Sequence, residues 1–391
     1  MVFSRAVYAA TCVGAMVCVM GPAEAAAGQT LQNHVPKAVG ESRRLGPLSG
    51  MARLSLAIGL PLRNREDLDR FLEQISDPRS PNYRRYLSAS EFAERFGPTQ
   101  ADYDKLIEFF QANGLAVSGT HPNRMILDVT GPVSAIDKTL HVNMTVWEHQ
   151  TRGRFFAPDR DPSLDADRAV LDISGLDNFV LPRPMNVKAV PLAAARPLVT
   201  GSGPDGLFAG GDFRAAYAPG VALTGAGQTV GLFELDGFYA ADVAANFKQA
   251  GLPPVSVATV LLDGFNGAPG GSNIEVILDI MMAGYMAPGT NVLVYEGFNP
   301  DDVLNRMATD NIARQLSSSW GWSPIDATPE QIFKQMVAQG QSLLQASGDS
   351  GAYSGPIMPP ADDPNLTVVG GTALTTTGLH TYGTIIAHRH G

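Results

Sequence analysis

The chain has 391 residues, of which 45% are hydrophobic and 17% are charged; these proportions exclude a largely disordered protein, and the length allows two folded units. Its net charge of −10 at pH 7 excludes a broad basic surface for nucleic acid. The charge is unevenly placed, because residues 28–199 contain 21 Lys and Arg against 20 Asp and Glu, whereas residues 200–391 contain 6 against 17.

Residues 1–25 predict a secretory signal peptide. Arg5 precedes a short apolar run, Ala6 to Met20, and Ala23-Glu24-Ala25 supplies an A-x-A cleavage site. The run is short for a membrane span, so an uncleaved anchor is the weaker alternative. We expect export to the extracellular space or the periplasm, with no membrane partner. The chain's two cysteines, Cys12 and Cys18, lie in this segment, so the mature chain is expected to have no disulfide.

Residues 28–180 predict an α+β sandwich, in which an antiparallel sheet carries helices on one face. The predicted strands are Arg53–Leu60, Met125–Val129 and Val142–Glu148, and the predicted helices are Arg65–Ile75, Thr99–Asn113 and Val133–Leu140. Thr99 is the expected N-cap of its helix, and Gly114 is the expected stop. No group of catalytic side chains is recognisable in this half of the chain.

Residues 77–98 contain a distinctive series of motifs. They are Asp77-Pro78-Arg79-Ser80-Pro81-Asn82-Tyr83, Tyr86-Leu87 and Glu91-Phe92-Ala93-Glu94-Arg95-Phe96-Gly97-Pro98. Here the sequence resembles the activation propeptide of the sedolisin family, the kumamolisin-like serine-carboxyl peptidases. The resemblance covers most of residues 50–180 and implies a pro-domain that assists folding of a peptidase and acts as its intramolecular inhibitor. The Pro-, Ala- and Gly-rich residues 181–205 are then expected to be an exposed linker with the processing region.

Residues 206–378 predict an α/β domain with a parallel sheet. The predicted strands are Thr229–Leu235, Val255–Leu262, Asn291–Glu296, Leu316–Trp320 and Leu343–Ser347, and the predicted helices are Ala240–Ala250, Ile274–Met286, Asp301–Ala313 and Thr328–Gln339, the last capped by Thr328. Alternating strands and helices imply βαβ crossovers and a sheet covered on both faces. Ligands of such sheets bind beyond the carboxyl ends of the strands. The loops after Glu296, Trp320 and Ser347 are therefore the expected location of a site.

Two carboxylates interrupt a predicted helix that is apolar nearly all round. Glu275 and Asp279 are four residues apart, so they lie on one helix face. Like charges at this spacing repel, and burial raises the cost of ionising either group. The alternative is a solvent-facing stripe, but the segment has few polar neighbours to support one. We therefore predict a functional acid/base pair that shares a proton at mildly acidic pH.

The sequence Ser347-Gly348-Asp349-Ser350-Gly351 directly follows a predicted apolar strand. Taken alone, Gly-Asp-Ser-Gly is similar to the nucleophile loop of chymotrypsin-like proteases, with Ser350 as the attacking group. That mechanism needs a histidine base, and the chain has no histidine between His149 and His380. The parallel α/β pattern is also unlike paired β-barrels, so the chymotrypsin-like interpretation is disfavoured.

Both signals resemble the peptidase domain of the sedolisin family over about residues 208–378. The resemblance implies a subtilisin-like parallel sheet, with Glu275 as the general base for a serine nucleophile and Asp279 as the group that orients it. Asp349 matches an oxyanion-hole aspartate that acts in its protonated form, which implies activity at low pH. Ser319-Trp320-Gly321 looks like the family's strand end that lines the cleft for a polypeptide substrate. A simple packing role for Trp320 is the alternative.

The family's nucleophile motif, Gly-Thr-Ser-x-x-x-Pro, does not occur in the 391 residues. Gly371-Thr372 is followed by Ala373, and residues 379–391 form a tail that matches no part of the family. We therefore expect a peptidase domain that is incomplete at its C-terminus and inactive as written, since no hydroxyl is available to form an acyl-enzyme. The alternative is a non-catalytic remnant whose pro-domain binds or inhibits a related peptidase.

No metal or other cofactor is predicted in this chain. The resemblance implies calcium for full-length members of the family, but the acidic loop that binds it is not recognisable here. The histidines of the N-terminal half, His121, His141 and His149, are scattered along the sequence, and a lone histidine is more often a satisfied structural residue than a ligand.

Overall fold

The computed structural model describes residues 28–164, 169–179, 181–185, 201–203, 206–322, 327–349, 351–371, 374, 376–378 and 381–382. The predicted signal peptide, most of the linker, Ser350 and most of the C-terminal tail lie outside the described residues. In the described part of the chain, no helix is long and apolar enough to cross a membrane. The predicted fold class is confirmed, since antiparallel sheets precede a parallel one.

The N-terminal region consists of small antiparallel sheets with helices. Its strands are β1 (Gln29–Thr30), β2 (Arg43–Pro47), β3 (Arg53–Gly59), β4 (Ala116–Thr120), β5 (Ile126–Pro132), β6 (Met144–His149), β7 (Gly153–Pro158), β8 (Ser163–Leu164) and β9 (Asp172–Ser174). Its helices are α1 (Arg65–Ser76), α2 (Ala89–Arg95), α3 (Gln100–Ala112) and α4 (Val133–Leu140), with a 3₁₀ turn at Lys37–Glu41. One sheet has the order β4-β5-β3-β9 and another the order β2-β6-β7, while β1 pairs with β8.

Local side chains set the ends of these helices. Thr99 caps α3 as predicted, because its hydroxyl accepts a hydrogen bond from the Asp102 N–H at 3.1 Å. Gly114 follows α3 at φ +85°, a left-handed conformation that glycine adopts without strain. Helix α2 was not predicted, although Ser88 and Glu91 form a capping box at its start.

The C-terminal region is built on a six-stranded parallel sheet. The strands after the N-terminal region are β10 (Arg183–Pro184), β11 (Thr229–Glu234), β12 (Ser256–Leu261), β13 (Asn291–Glu296), β14 (Gln315–Ser318), β15 (Trp320–Gly321), β16 (Ser342–Ala346), β17 (Thr367–Val369), β18 (Thr376–Gly378) and β19 (Thr381–Tyr382). The helices are α5 (Gly211–Tyr217), α6 (Ala240–Gln249), α7 (Asn273–Met286), α8 (Pro300–Asp310) and α9 (Ala327–Ala338). The sheet order is β12-β13-β11-β14-β16-β17, and each pair of neighbours is parallel.

The strand order determines where a ligand site can form. Strand β11 comes first in the chain but lies inside the sheet, between β13 and β14. The direction in which the chain adds strands therefore reverses at β11, and such a switch point opens a crevice at the carboxyl ends of the strands. Glu234 ends β11, and Ser319 directly follows β14.

One hydrophobic cluster spans both regions, and a second lies within the N-terminal region. Leu68 of α1 and Phe92 of α2 belong to the same cluster of buried side chains as Ile332 and Phe333 of α9. Helices α8 and α9 pack against each other and receive α1 and α2 of the N-terminal region. The apolar contacts are therefore continuous across the junction between the regions.

Buried amide groups add specificity to this junction. The Asn123 side-chain NH₂ donates to Asn305 Oδ1 at 2.6 Å and to Gln335 Oε1 at 2.8 Å. The Leu62 N–H donates to Gln331 Oε1 at 2.7 Å. All these amide side chains are buried, so a displaced partner leaves a polar group unsatisfied.

The predicted cap of α9 is wrong in one respect. The helix begins at Ala327, and Thr328 is bound by a carboxylate of the N-terminal region instead of acting as the cap. The Thr328 N–H donates to Asp172 Oδ2 at 2.9 Å, and its hydroxyl donates to Asp172 Oδ1 at 2.7 Å. A carboxylate at this position satisfies free N–H groups and stabilises the positive end of the helix dipole.

Substitution of Asp172 tests the contribution of this contact. Asp172→Ala leaves the Thr328 N–H and hydroxyl buried without their partner, so we expect the free energy of unfolding of the full chain to fall by about 2–3 kcal/mol in chemical denaturation. The matched control is Asp69→Ala, which removes an exposed ion pair with Lys334 (3.1 Å) at the same junction. That change is expected to cost less than about 1 kcal/mol. Equal losses in the two variants would contradict the role given to Asp172.

Candidate active site

Helix α7 presents the two predicted carboxylates at the end of the sheet. Glu275 is 5% exposed and Asp279 is half-buried. The Ser319 hydroxyl donates to Asp279 Oδ1 at 2.9 Å, which places α7 against the residue that follows β14. The apolar sequence of α7 suggests a helix that is buried on all sides, but Ile274 and Leu278 are 55% and 40% exposed. The carboxylates nevertheless lie on its covered face.

A third carboxyl group, Glu234, completes the site. The Trp320 indole N–H donates to Glu234 Oε2 at 2.8 Å, and Glu234 is hydrogen-bonded to Asp279. Glu234 is fully buried at the carboxyl end of β11. Glu234 was not predicted as a site residue, because in the sequence it is the last position of an apolar strand. Its signal is a lone acid at the end of a buried strand, at the point where the strand order reverses.

These side chains form a row of neighbouring polar groups. The Ser319 hydroxyl donates to Asp279 Oδ1, and its proximity to Glu275 opposes the rise in the pKa of that carboxyl group. Asp279 is hydrogen-bonded in turn to Glu234, which accepts from Trp320. The row, which we call the acid row, consists of Glu275, Ser319, Asp279, Glu234 and Trp320. It connects the partly open α7 face with the interior of the sheet.

Burial raises the pKa of each carboxyl group in the acid row. The pKa of Glu275 rises to about 7, because the group is desolvated and because the charges of Asp279 and Asp349 oppose its ionisation. Desolvation raises the pKa of Asp279 to about 6. The pKa of Glu234 lies well above its usual range, because of complete burial and the nearby charge of Asp279. The raised pKa values indicate that the acid row retains protons at mildly acidic pH.

Asp349 lies in the loop after β16, near the acid row. Its side chain is exposed, and its charge is one cause of the raised pKa of Glu275, so the two carboxylates are within electrostatic reach. The start of this loop is fixed by the Tyr353 hydroxyl, which donates to the Ser347 carbonyl at 2.5 Å. Ser350, the nucleophile of the disfavoured chymotrypsin-like interpretation, lies outside the described residues.

The predicted cleft residues divide into two roles. Trp320 is 2% exposed and directs its indole inward to Glu234, so its side chain belongs to the acid row. The backbone of Trp320 and Gly321 forms β15, and β15 pairs with strand β10 of the same chain. Ser319 contributes its hydroxyl to the acid row and its carbonyl to that same contact.

The segment that contacts β15 comes from the start of the predicted linker. Strand β10 pairs with β15 in antiparallel register, Arg183 opposite Gly321, and the Met185 N–H donates to the Ser319 carbonyl at 3.0 Å. Within this short segment Met185 is 8% exposed, whereas Leu181 is 64% exposed. A Cβ atom at Gly321 would lie 2.3 Å from Met185 Sδ, so a larger residue there would require the Met185 side chain to move.

The chain is similar to known proteins over most of its length. Residues 40–179 match the family model of the pro-kumamolisin activation domain. Kumamolisin from Bacillus sp. (strain MN-32) is 28% identical over 374 residues, which cover 88% of this chain and 67% of kumamolisin. Sedolisin from Pseudomonas sp. (strain 101) is 24% identical over 387 residues, which cover 88% of this chain and 64% of that protein. These matches support a sedolisin-family precursor.

The chain spans about two thirds of the length of these two relatives. Its match to the activation domain lies within residues 28–180, the range predicted for the pro-domain. The solved structure of Pseudomonas sedolisin complexed with two molecules of pseudo-iodotyrostatin is similar to it with a TM-score of 0.40 and 25% identity, covering 45% of this chain and 56% of that one.

The raised pKa values predict how the stability of the precursor depends on pH. Unperturbed Glu and Asp titrate at 4.5 and 3.8, whereas in the folded chain the pKa of Glu275 is about 7 and that of Asp279 about 6. Between the unfolded and folded values the folded state binds more protons, so the free energy of unfolding falls as pH rises. The stability that these two bound protons contribute is fully present below about pH 4 and is lost by about pH 7. Chemical denaturation at a series of pH values measures it.

A charge-neutral variant distinguishes the contribution of Glu275 to this pH dependence from the contributions of other titrating groups. Glu275→Gln removes one ionisable carboxyl, so the fall in stability between about pH 4 and pH 7 should become shallower than in the wild type. The control is Glu108→Gln, an exposed glutamate on α3, which should leave the slope unchanged. An identical slope in the wild type and in Glu275→Gln would show that Glu275 does not keep a raised pKa.

Proposed function

We propose that this chain is the precursor of an acid-acting, serine-type endopeptidase. The observation that carries the proposal is the acid row, a set of buried or half-buried carboxyl groups that lie close together at the carboxyl ends of β11 and β14, with hydrogen bonds from Ser319 and Trp320. Buried acids with raised pKa values are typical of sites that transfer protons, and this site lies where the sheet topology opens a crevice. The family relationship supplies the reaction type.

In the proposed mechanism Glu275 is the general base for a serine nucleophile. The pKa of Glu275 is raised to about 7, so its ionised form is a stronger base than an ordinary glutamate, although this form is the minor one at acidic pH. Asp279 lies behind it and raises that pKa through its charge, while the Ser319 hydroxyl donates to Asp279. Glu234 donates its proton to Asp279 and so fixes the orientation of Asp279.

Asp349 is the proposed donor to the oxyanion that develops on the scissile carbonyl. A carboxylic acid donates a hydrogen bond only while it is protonated, which restricts this function to acidic pH. The exposed position of Asp349 in a loop beyond β16, close enough to influence Glu275, supports the assignment.

The linker strand supports a polypeptide as the substrate and the pro-domain as an intramolecular inhibitor. Strand β10 adds to β15 as an extended peptide through backbone hydrogen bonds, which is a mode that accepts many sequences. A substrate chain at the same edge would lie beside Ser319 and the acid row. In the precursor this edge is covered by Arg183 to Met185, so a substrate must displace the linker first.

The 391 residues contain no Gly-Thr-Ser-x-x-x-Pro motif, so Glu275 has no nucleophile to activate within this sequence. We therefore predict that the purified 391-residue chain cleaves no peptide bonds.

Calcium, which the family implies, enters no step of the proposed mechanism. The cluster with metal-ligand spacing among the described residues is His121, Asp128 and Asp302, and its imidazole does not suit calcium. Export is proposed from the signal-peptide pattern alone.

A chimaera tests the proposed roles. Residues 28–371 are joined to the part of kumamolisin that follows its matched region, and cleavage of an unfolded protein is measured across the acidic pH range. We expect acid-dependent cleavage, with Glu275→Gln and Asp349→Asn each reducing kcat by about 10²- to 10⁴-fold. The control is Ser350→Ala, which should retain activity because Ser350 has no histidine base.

Two outcomes would overturn this assignment. Undiminished activity in Glu275→Gln would exclude Glu275 as the base, and loss of activity in Ser350→Ala would restore the chymotrypsin-like interpretation. Acid-dependent cleavage by the 391-residue chain itself would show that its nucleophile lies outside the family motif. Sequencing beyond codon 391 supplies an independent check, since a Gly-Thr-Ser-x-x-x-Pro coding stretch there would favour an active enzyme.

The second candidate is a non-catalytic protein that inhibits a related peptidase. It is favoured by the same contacts, since residues 28–185 cover α8, α9 and β15 of the acidic region. Addition of residues 28–199 to active kumamolisin tests this function. Inhibition that saturates with increasing concentration would support it, and unchanged activity at high concentration would contradict it.

A further inference from the structure

A cluster of metal-ligand type lies at the junction of the two regions and shares no residue with the acid row. His121 follows β4, Asp128 lies on β5, and Asp302 lies in the first turn of α8. His121 Nε2 is 2.9 Å from Asp128 Oδ2 and 3.7 Å from Asp302 Oδ1. One potential ligand atom from each residue lies within 4.8 Å of the other two. Two of the three groups come from the pro-domain and one from the acidic region.

One buried oxygen of each of the two carboxylates in this cluster lacks a hydrogen-bond partner among the described residues. Asp302 is 4% exposed, and its Oδ1 faces His121 but makes no hydrogen bond within the described residues. Asp128 Oδ1 is also buried without a hydrogen-bond partner. A buried charged oxygen without a partner costs several kcal/mol in principle, so these atoms are suited to a cation that approaches them directly.

The protein itself supplies little positive charge here. Asp263 is hydrogen-bonded to Asp302, so three carboxyl groups surround a single imidazole. Among the described residues, no lysine or arginine lies within ion-pair distance of any of the three. The closest basic residue in sequence, Arg124, donates instead to the carbonyls of Pro98 and Ala93 at 2.6 and 3.0 Å.

The surrounding residues hold the cluster in a defined geometry. The Tyr103 hydroxyl accepts from the His121 N–H at 3.2 Å and donates to the Ile126 carbonyl at 2.7 Å, which fixes the backbone on both sides. A Cβ atom at Gly119 would lie 2.2 Å from Asp128 Oδ2, so glycine at this position makes room for the carboxylate. A surface cavity lined by Tyr103, His121 and Arg124 reaches the histidine of the cluster, and neither Asp128 nor Asp302 lines it.

We propose that His121, Asp128 and Asp302 bind a divalent transition-metal ion, with Zn²⁺ as the best match, and that the ion joins the pro-domain to the acidic region. Imidazole nitrogen and carboxylate oxygen are both good zinc ligands, at about 2.0–2.2 Å from the ion. Ligand atoms around one zinc ion are about 3–4 Å apart, so the observed separations need only small side-chain rotations. Calcium prefers oxygen ligands only. The proposal does not depend on peptidase activity.

The test compares zinc binding by the full chain and three variants at neutral pH, using metal-free protein titrated calorimetrically with zinc chloride and, separately, with calcium chloride. His121→Gln and Asp302→Asn each remove one ligand. The matched control is His141→Asn, an exposed histidine of the same region at φ +54°, a conformation that asparagine adopts readily. Histidines in the C-terminal tail are present in all four proteins, so only differences between them are interpreted.

We expect the wild type and His141→Asn to bind one Zn²⁺ per chain that His121→Gln and Asp302→Asn do not bind, or bind at least about tenfold more weakly. Zinc should raise the Tm of the first two proteins by about 2–4 °C or more and leave that of the other two nearly unchanged. Asp302→Asn replaces a buried charge by a neutral group of the same shape, so it decides the question if His121→Gln does not fold.

Two results would overturn the site. Equal zinc stoichiometry, affinity and Tm response in all four proteins would show that protons alone compensate the carboxylates. Preferential binding of calcium, unchanged in His121→Gln, would exclude the imidazole as a ligand and with it a transition-metal site.

Discussion

The cost of removing carboxyl groups from water governs this structure. Glu234, Glu275 and Asp279 are buried or half-buried around the ends of two parallel strands, and among the described residues no ion pair joins any of them to a lysine or arginine. Hydrogen bonds from Ser319 and Trp320 replace only part of the lost hydration. Protons must supply the remainder, which ties the proposed chemistry to acidic pH.

The same constraint recurs at the junction between the regions, where it is met in different ways. Asp172 is stabilised by the N-terminus of α9, and the buried amide of Asn123 is paired with Asn305. At Asp128 and Asp302 the described residues leave buried oxygens without partners, and there we propose a metal ion. The contacts at α8 and α9 also hold the linker close to β15, because a tethered segment has a high effective concentration at its site.

Much of the fold follows from local patterns. Helix α7, helix α4 and strands β11 and β13 lie within one or two residues of their predicted ends, because apolar periodicity reports directly on burial. The pair Glu275 and Asp279 was recognised for the same reason, since two acids in an apolar helix violate its pattern. Helix α2 was missed despite the capping box at Ser88, because the helix is only 7 residues long.

The amino-acid sequence by itself determined the order of elements, the family and the acid pair on α7, because each depends on residues close together in the chain. Only the tertiary structure revealed Glu234, which meets Trp320 across 86 residues, and Asp172, which meets Thr328 across 156. It also brought His121 to Asp302 and the linker strand to β15. Such contacts depend on strand order and domain docking, and no local periodicity encodes which distant side chains will share a buried space.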